Sequence, residues 1–345
     1  VSGGSNNMAS DFQTTVSGGI QNIATQFGAV VSGGSNNTAS GLSSFVGGGN
    51  KNVANAKCST VTGGVNNVSS NEGSFIGGGD TNSITERHSV ICGGYYNKST
   101  GKYSVVCGGG NGNTTDGNLA SGDSSSVVGG FLNQSSGYNS SVVGGIRNTS
   151  SSPYGFIGAG LNNKVGGIAG GVVAGSTNSA NGDYSIVCSG YNNSTVGYYS
   201  VVCGGSNNSS SGQRSIVCGG NNNSSSGESS FMGGGNNNIS SGLYSVVCGG
   251  NDNNSSKDNS TISGGRDNAS SGSYSTIGGG LSNKASGTQS TIAGGYGNES
   301  TGTQSTVCGG ATNRASGDSS IVLGGSSNSA SGNYSCVAGK SASDG

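Results

Sequence analysis

The sequence predicts an all-β protein, a parallel β-solenoid of about twenty-three fifteen-residue coils with two short strands in each. Three observations carry that prediction. Glycine occurs 73 times in 345 residues, proline once and tryptophan never. Charged residues make up only 8% of the chain and hydrophobic residues 29%, whereas an average soluble domain is roughly a quarter charged. A Val or Ile followed by one residue and Gly-Gly recurs at a constant interval, which is the signature of a repeat architecture.

The interval sets the boundaries of the coils. The anchors run Val1, Val16, Val31, Val46, Val61, Ile76, Ile91 and Val106, resume at Val127, and continue in fifteen-residue steps to Val337. Val106 to Val127 is a step of twenty-one, so one coil carries six extra residues, expected as a loop over about 114–122. Residues 1–339 read as one repeat domain and 340–345 as a connector or tail. Val1-Ser2-Gly3-Gly4 is already the middle of a repeat, so the sequence reads as a mature or truncated piece of a longer chain.

Within a coil, two β-favouring runs are separated by glycine turns, as in Ser275-Thr276-Ile277-Gly278-Gly279-Gly280-Leu281-Ser282-Asn283-Lys284-Ala285-Ser286-Gly287. Strand alternation places the anchor, the Ser two before it and the first glycine of the Gly-Gly pair inward, with Asn283 and Ala285 facing them. Glycine is expected at the corners because the turns need φ > 0. Asparagine stands six residues after nearly every anchor, from Asn7 to Asn328. Such a column predicts a side-chain amide ladder inside the solenoid. One large apolar side chain per coil cannot stabilise a coil alone, so the coils must stack.

The outward columns are where function is expected. The residue before the anchor is often apolar: Phe45, Phe75, Val105, Phe156, Val201, Ile216, Phe231 and Val246 form a stripe that would be an aggregation hazard if left bare. This predicts a seam between identical rods, with a homotrimer the simplest closed arrangement and a filament the alternative. The residue after the anchor is cysteine in seven coils: Cys92, Cys107, Cys188, Cys203, Cys218, Cys248 and Cys308. A single column does not supply the converging ligands that zinc needs. These cysteines read either as small apolar fillers of the seam or as disulfide partners, since Cα atoms on successive strands fall in the disulfide range. Asn-x-Ser/Thr triplets recur, and those at Asn36, Asn192, Asn207, Asn222 and Asn253 are expected to point outward as glycan acceptors.

Several classes of function find no support. Thirteen basic and fourteen acidic residues give a net charge of −1, so no nucleic-acid footprint is expected. The apolar runs are too short to span or insert in a bilayer. The single histidine, His88, follows Glu86 and Arg87 at an expected corner and reads as a solvated turn. No catalytic residue, metal site or cofactor is predicted, and the glycine doublets lack the Lys-Ser/Thr ending of a phosphate loop.

The coil Ser-x-Val-x-Gly-Gly…Asn-x-Ala-Ser-Gly resembles the head repeats of YadA-like trimeric autotransporter adhesins and related phage or viral fibre proteins. That resemblance covers nearly the whole chain. It implies a left-handed β-roll, trimeric and displayed on a cell or virion surface, which binds a host receptor, matrix or glycan through its outer faces and has no enzymatic activity. A purely structural extracellular filament, glycosylated or not, is the alternative expectation. A second resemblance is to grass-type ice-binding β-rolls, carried by the outward column Thr261, Thr276, Thr291 and Thr306, beside which Ser263, Gly278, Ala293 and Cys308 stand in place of a second threonine column.

Overall fold

A computed structural model describes residues 1–113 and 116–339. Among them are forty-four strands of two residues each and no helix. The chain divides into two compact units, Val1–Ser176 and Thr177–Gly345, and each is a parallel β-solenoid with two strands per turn.

In the first unit the strands alternate between two sheets. One, the anchor sheet, contains Thr15–Val16, Val30–Val31 and Phe45–Val46; the other, the asparagine sheet, contains Met8–Ala9, Ile23–Ala24 and Thr38–Ala39. Val30 pairs with Phe45 and Val31 with Val46; Ile23 pairs with Thr38. The second unit repeats the plan, with Ser179 on Ser194 in its asparagine sheet and Ile186 on Val201 in its anchor sheet. Because partners lie fifteen residues apart, chemically equivalent side chains stack in columns at the sheet spacing of about 4.8 Å.

The exception locates the insertion. Lys98 pairs with Leu119 and Val106 with Val127, each twenty-one apart. Asn118 nevertheless takes the ladder place, its backbone N–H donating to Asn97 Oδ1 at 2.9 Å. Gly110 donates to Gly130 O, and Leu132 donates back to Asp116 O. The six extra residues are therefore 111–116 rather than part of 114–122, and 118–122 are ordinary coil. Thr114 and Thr115 lie outside the described residues.

The interior follows from the columns. The anchors from Val16 to Val322 are fully buried, as are the facing residues Ala24, Ala39, Ala54 and Ala285. Where the residue two before the anchor is Ser, it is buried from Ser44 to Ser320, and bonds across the core where the facing residue is also Ser: Ser69 to Ser74 at 2.6 Å, Ser210 to Ser215 at 2.6 Å, Ser300 to Ser305 at 2.7 Å. Six buried hydroxyls have no hydrogen-bond partner among the described residues: Ser125, Ser150, Ser200, Ser290, Ser320 and Ser335. The sequence explains all six. Ala120, Ala285, Ala315 and Ala330 face Ser125, Ser290, Ser320 and Ser335; Gly155 faces Ser150; and Thr195, opposite Ser200, donates to Ser185 instead at 2.8 Å.

The asparagine column is buried as expected, but its ladder runs largely through the backbone. Asn208 Nδ2 donates to Gly204 O at 2.9 Å in its own coil and to Gly220 O at 3.0 Å in the next, while its Oδ1 accepts the backbone N–H of Asn223 at 3.0 Å. The same three bonds recur at Asn22, Asn37 and Asn52. Direct amide-to-amide bonds are fewer, for example Asn283 Nδ2 to Asn268 Oδ1 at 3.0 Å. One side chain thus ties a tight corner to the corner of the next coil, where an unpaired amide would cost about 1–3 kcal/mol.

The two glycines of that corner have different roles: the second has the positive φ expected of a corner, and the inward placing of the first is corrected. The first does not face the core: a Cβ on Gly219 would meet nothing within 4 Å. The second is obligatory, because Gly220 has φ +85° and a Cβ there would lie 2.2 Å from Gly235 O and 2.6 Å from Asn223 Nδ2. Left-handed backbone alone does not demand glycine here. Asn36 (φ 58°), Ser43 (φ 53°), Cys58 (φ 54°) and Tyr184 (φ 57°) occupy two further left-handed corner columns. Cross-coil bonds such as Asn36 N to Ile20 O and Ser43 N to Phe27 O, both 2.9 Å, offset the strain at those corners.

Candidate functional site: the outer face of the anchor sheet

In both units the outer face of the anchor sheet is two columns wide, formed by the residues before and after each anchor. All eight predicted seam residues lie there and none is buried. Phe75, Phe156 and Ile216 are 38%, 42% and 36% exposed, and Phe45, Val105, Val201, Phe231 and Val246 are half-buried.

In seven coils the two columns compensate each other in volume, a feature that column-by-column reading missed. Each coil with Phe before the anchor has Gly after it: Phe45 with Gly47, Phe75 with Gly77, Phe156 with Gly158, Phe231 with Gly233. The ring leans into the space so freed. A Cβ on Gly47 would lie 3.3 Å from the Phe45 ring, and one on Gly158 would lie 3.7 Å from that of Phe156. Conversely, Val128, Val143 and Val173 follow anchors preceded by Ser126, Ser141 and Gly171. In these coils bulk moves from one column to the other, whereas Ile321 and Leu323 are bulky in both columns and Thr15 with Ser17, Thr60 with Thr62 and Thr261 with Ser263 are polar in both.

The asparagine sheet has no such face. Its outward column begins Met8, Ile23, Thr38, Val53 and Val68, yet in the second unit reads Ser179, Ser194, Ser209 and Ser224 and later Lys284, Glu299 and Arg314. Arg314 pairs with Glu299 at 3.3 Å, both largely solvated, a kind of contact that adds little stability.

The cysteine column is where it was predicted, and all its thiols are free. Cys92, Cys107, Cys203, Cys218, Cys248 and Cys308 are exposed and Cys188 is half-buried. Partial burial, then the adjacent thiol, pushes Cys107 above the ordinary thiol value, with Cys92 as its neighbour; Cys188 and Cys218 are raised for the same reasons, with Cys203 between them. Among the described residues no three His, Cys, Asp or Glu side chains form a metal-binding group.

Of the five candidate glycan acceptors, Asn36, Asn192, Asn207 and Asn222 are exposed, but Asn253 is fully buried. Asn253 belongs to the inner column, donating to Gly249 O and Gly265 O at 2.9 Å, so it cannot be an outward acceptor. The exposed asparagines form a surface ladder the sequence did not announce: Asn192 Nδ2 donates to Asn207 Oδ1 and Asn222 Nδ2 to Asn237 Oδ1, both at 2.7 Å. Acceptors in successive coils are too close for each to carry a glycan.

The remaining surface features do not converge on a reactive centre. His88 is exposed at a left-handed corner and stacks on Tyr103 with ring centroids 5.5 Å apart. Tyr184, Tyr198 and Tyr199 cluster at the equivalent corner in the second unit, where the Tyr199 hydroxyl and then partial burial push Tyr198 up to about 12. Among the described residues no helix is long and apolar enough to cross a membrane. No protein-family model matches the chain and no curated protein is significantly similar to it. Fold and surface define a β-solenoid repeat protein.

Proposed function

We propose that the chain is a non-enzymatic extracellular fibre segment, the shaft or head of a surface structure, in which identical chains associate side by side through the outer face of the anchor sheet. The observation that carries this reading is the run of apolar residues on this face, levelled in the coils that pair Phe with Gly or Ser or Gly with Val. A bare hydrophobic strip along a parallel sheet is an aggregation liability, and reciprocal Phe/Gly choices have no use in solvent but suit a flat surface that packs against another. The occupant is a second copy of this chain, because a face repeated coil after coil is best matched by one with the same repeat. Three parallel chains around a common axis is the closed arrangement that suits a fibre shaft. The other outer columns are left to contact a host receptor, matrix or glycan.

The test is the mass of the native protein by light scattering, with and without reductant. About three times the chain mass of 33.1 kDa, unchanged by reductant, supports a non-covalent trimer. A much larger mass favours a filament, and a monomer removes the lateral reading. A second reading has its own observation: Thr261, Thr276, Thr291 and Thr306 stack in register on the same face. A monomer that inhibits ice recrystallisation, and loses that activity when these threonines are replaced by valine, would favour an ice-binding solenoid.

A further inference from the structure

We propose that the cysteine column contains binding sites for thiophilic monovalent d10 cations, copper(I) in particular, each held linearly between thiolates of successive coils. Spacing carries the inference. Val90 pairs with Val105 and Ile91 with Val106, which sets Cys92 beside Cys107. Ile186, Val201 and Ile216 pair in succession, which sets Cys188, Cys203 and Cys218 in one row. The rows are held by Cys92 N to Val106 O, Cys188 N to Val202 O and Cys203 N to Val217 O, each 2.9 Å.

In-register parallel strands keep both Cα and Cβ atoms about 4.8 Å apart. The Cα spacing satisfies a disulfide, but its Cβ atoms must come within about 3.5–4.5 Å. The ladder therefore holds the thiols slightly too far apart for an unstrained S–S bond. A metal–thiolate bond is about 2.3 Å long, so a two-coordinate ion midway between sulfurs spans about 4.6 Å, the natural spacing of the column. Soft thiolates select copper(I), and two-coordinate binding does not need the third converging ligand that the surface lacks.

The chemistry balances without an oxidant. One copper(I) at Cys92 and Cys107 displaces two protons and leaves a bis-thiolate of charge −1. Two ions along Cys188, Cys203 and Cys218 displace three protons, with the Cys203 sulfur bridging, and also leave −1. Cys248 lies between Gly233 and Ser263, and Cys308 between Ala293 and Leu323, so neither has a partner in the column.

The experiment is a titration of the reduced full chain with copper(I), buffered by a chromogenic copper(I) chelator and read by native mass spectrometry. Three tightly held ions per chain are expected. Cys107→Ser should remove one, Cys188→Ser or Cys218→Ser one, and Cys203→Ser two, whereas Cys248→Ser and Cys308→Ser should remove none. Serine already occupies this column at Ser17, Ser32 and Ser263, so these variants keep the fold. The sites rest on the cysteine rows rather than on lateral association, so the titration is repeated on the Phe45→Asp, Phe75→Asp, Phe231→Asp triple variant. Sites found only in that variant would support the proposal and show that assembly covers them. No stoichiometric binding in either protein, equal loss with Cys248→Ser, or ready formation of a Cys92–Cys107 disulfide with oxidised glutathione would overturn it.

Discussion

The glycine–asparagine corner and the outer face of the anchor sheet are built from the same coils, yet they tolerate change in opposite ways. At the corner each residue meets backbone atoms of the next coil, so identity is fixed position by position: Gly220 has a carbonyl 2.2 Å from where its Cβ would be, and Asn223 fills three hydrogen bonds. On the face, Phe, Val, Ile, Ser, Thr and Cys interchange, and a Phe before the anchor is matched by a Gly after it. Backbone neighbours cannot yield, so they select a residue. Side-chain neighbours can, so they admit a range of residues.

The largest expected effect breaks the corner. Gly220→Ala should cost about 4 kcal/mol or more, because the clash is with backbone on a left-handed residue. Gly219→Ala, one position away with open space around it, should change stability by no more than about 0.5 kcal/mol. Denaturant midpoints of the two variants give the comparison directly, and similar losses in both would refute the assignment of the corner.

Asn208→Asp tests the same corner through pH. The carboxyl would face Gly204 O and Gly220 O, which holds its folded pKa above the ordinary value of about 3.9. The folded protein then binds the proton more tightly than the unfolded chain, so the variant is best tolerated at or below about pH 4. Its stability falls as pH rises towards the folded pKa, reaching a loss of about 3 kcal/mol or more near pH 7. Thermal melts from pH 4 to 8 check the sign, and a variant that is more stable at neutral pH would contradict it.

Smaller effects belong to the core hydroxyls. Ala285→Ser should give the orphaned Ser290 a partner and add about 1 kcal/mol, whereas Ala24→Ser, placed opposite Ala29, offers its new hydroxyl no such partner and should destabilise. Equal effects of the two substitutions would show that the serine bridges do not contribute.

The solenoid, the inward anchors and the buried asparagine column were all legible in the sequence, since a fifteen-residue period puts equivalent residues in register wherever the coils stack. What escaped depends on contacts between columns. The Asn bonds to glycine carbonyls, the separate roles of Gly219 and Gly220 and the lean of Phe45 over Gly47 involve residues that are not equivalent in the repeat. Asn253 was misassigned because its sequon has Asn at the inner position, whereas Asn207 stands one place earlier in its coil. The insertion was placed late although Asn118-Leu119-Ala120-Ser121-Gly122 repeats the Asn-x-Ala-Ser-Gly of the coil, so its true position was legible in the sequence.

The levelled face is tested most directly by light scattering on the wild-type protein and on the triple variant Phe45→Asp, Phe75→Asp, Phe231→Asp, at equal concentration and with circular dichroism as the check on folding. An oligomeric wild type and a monomeric variant with the same β signal are the expected pair. A wild type that is already monomeric, or a variant that keeps the full oligomer mass, would contradict lateral association through this face.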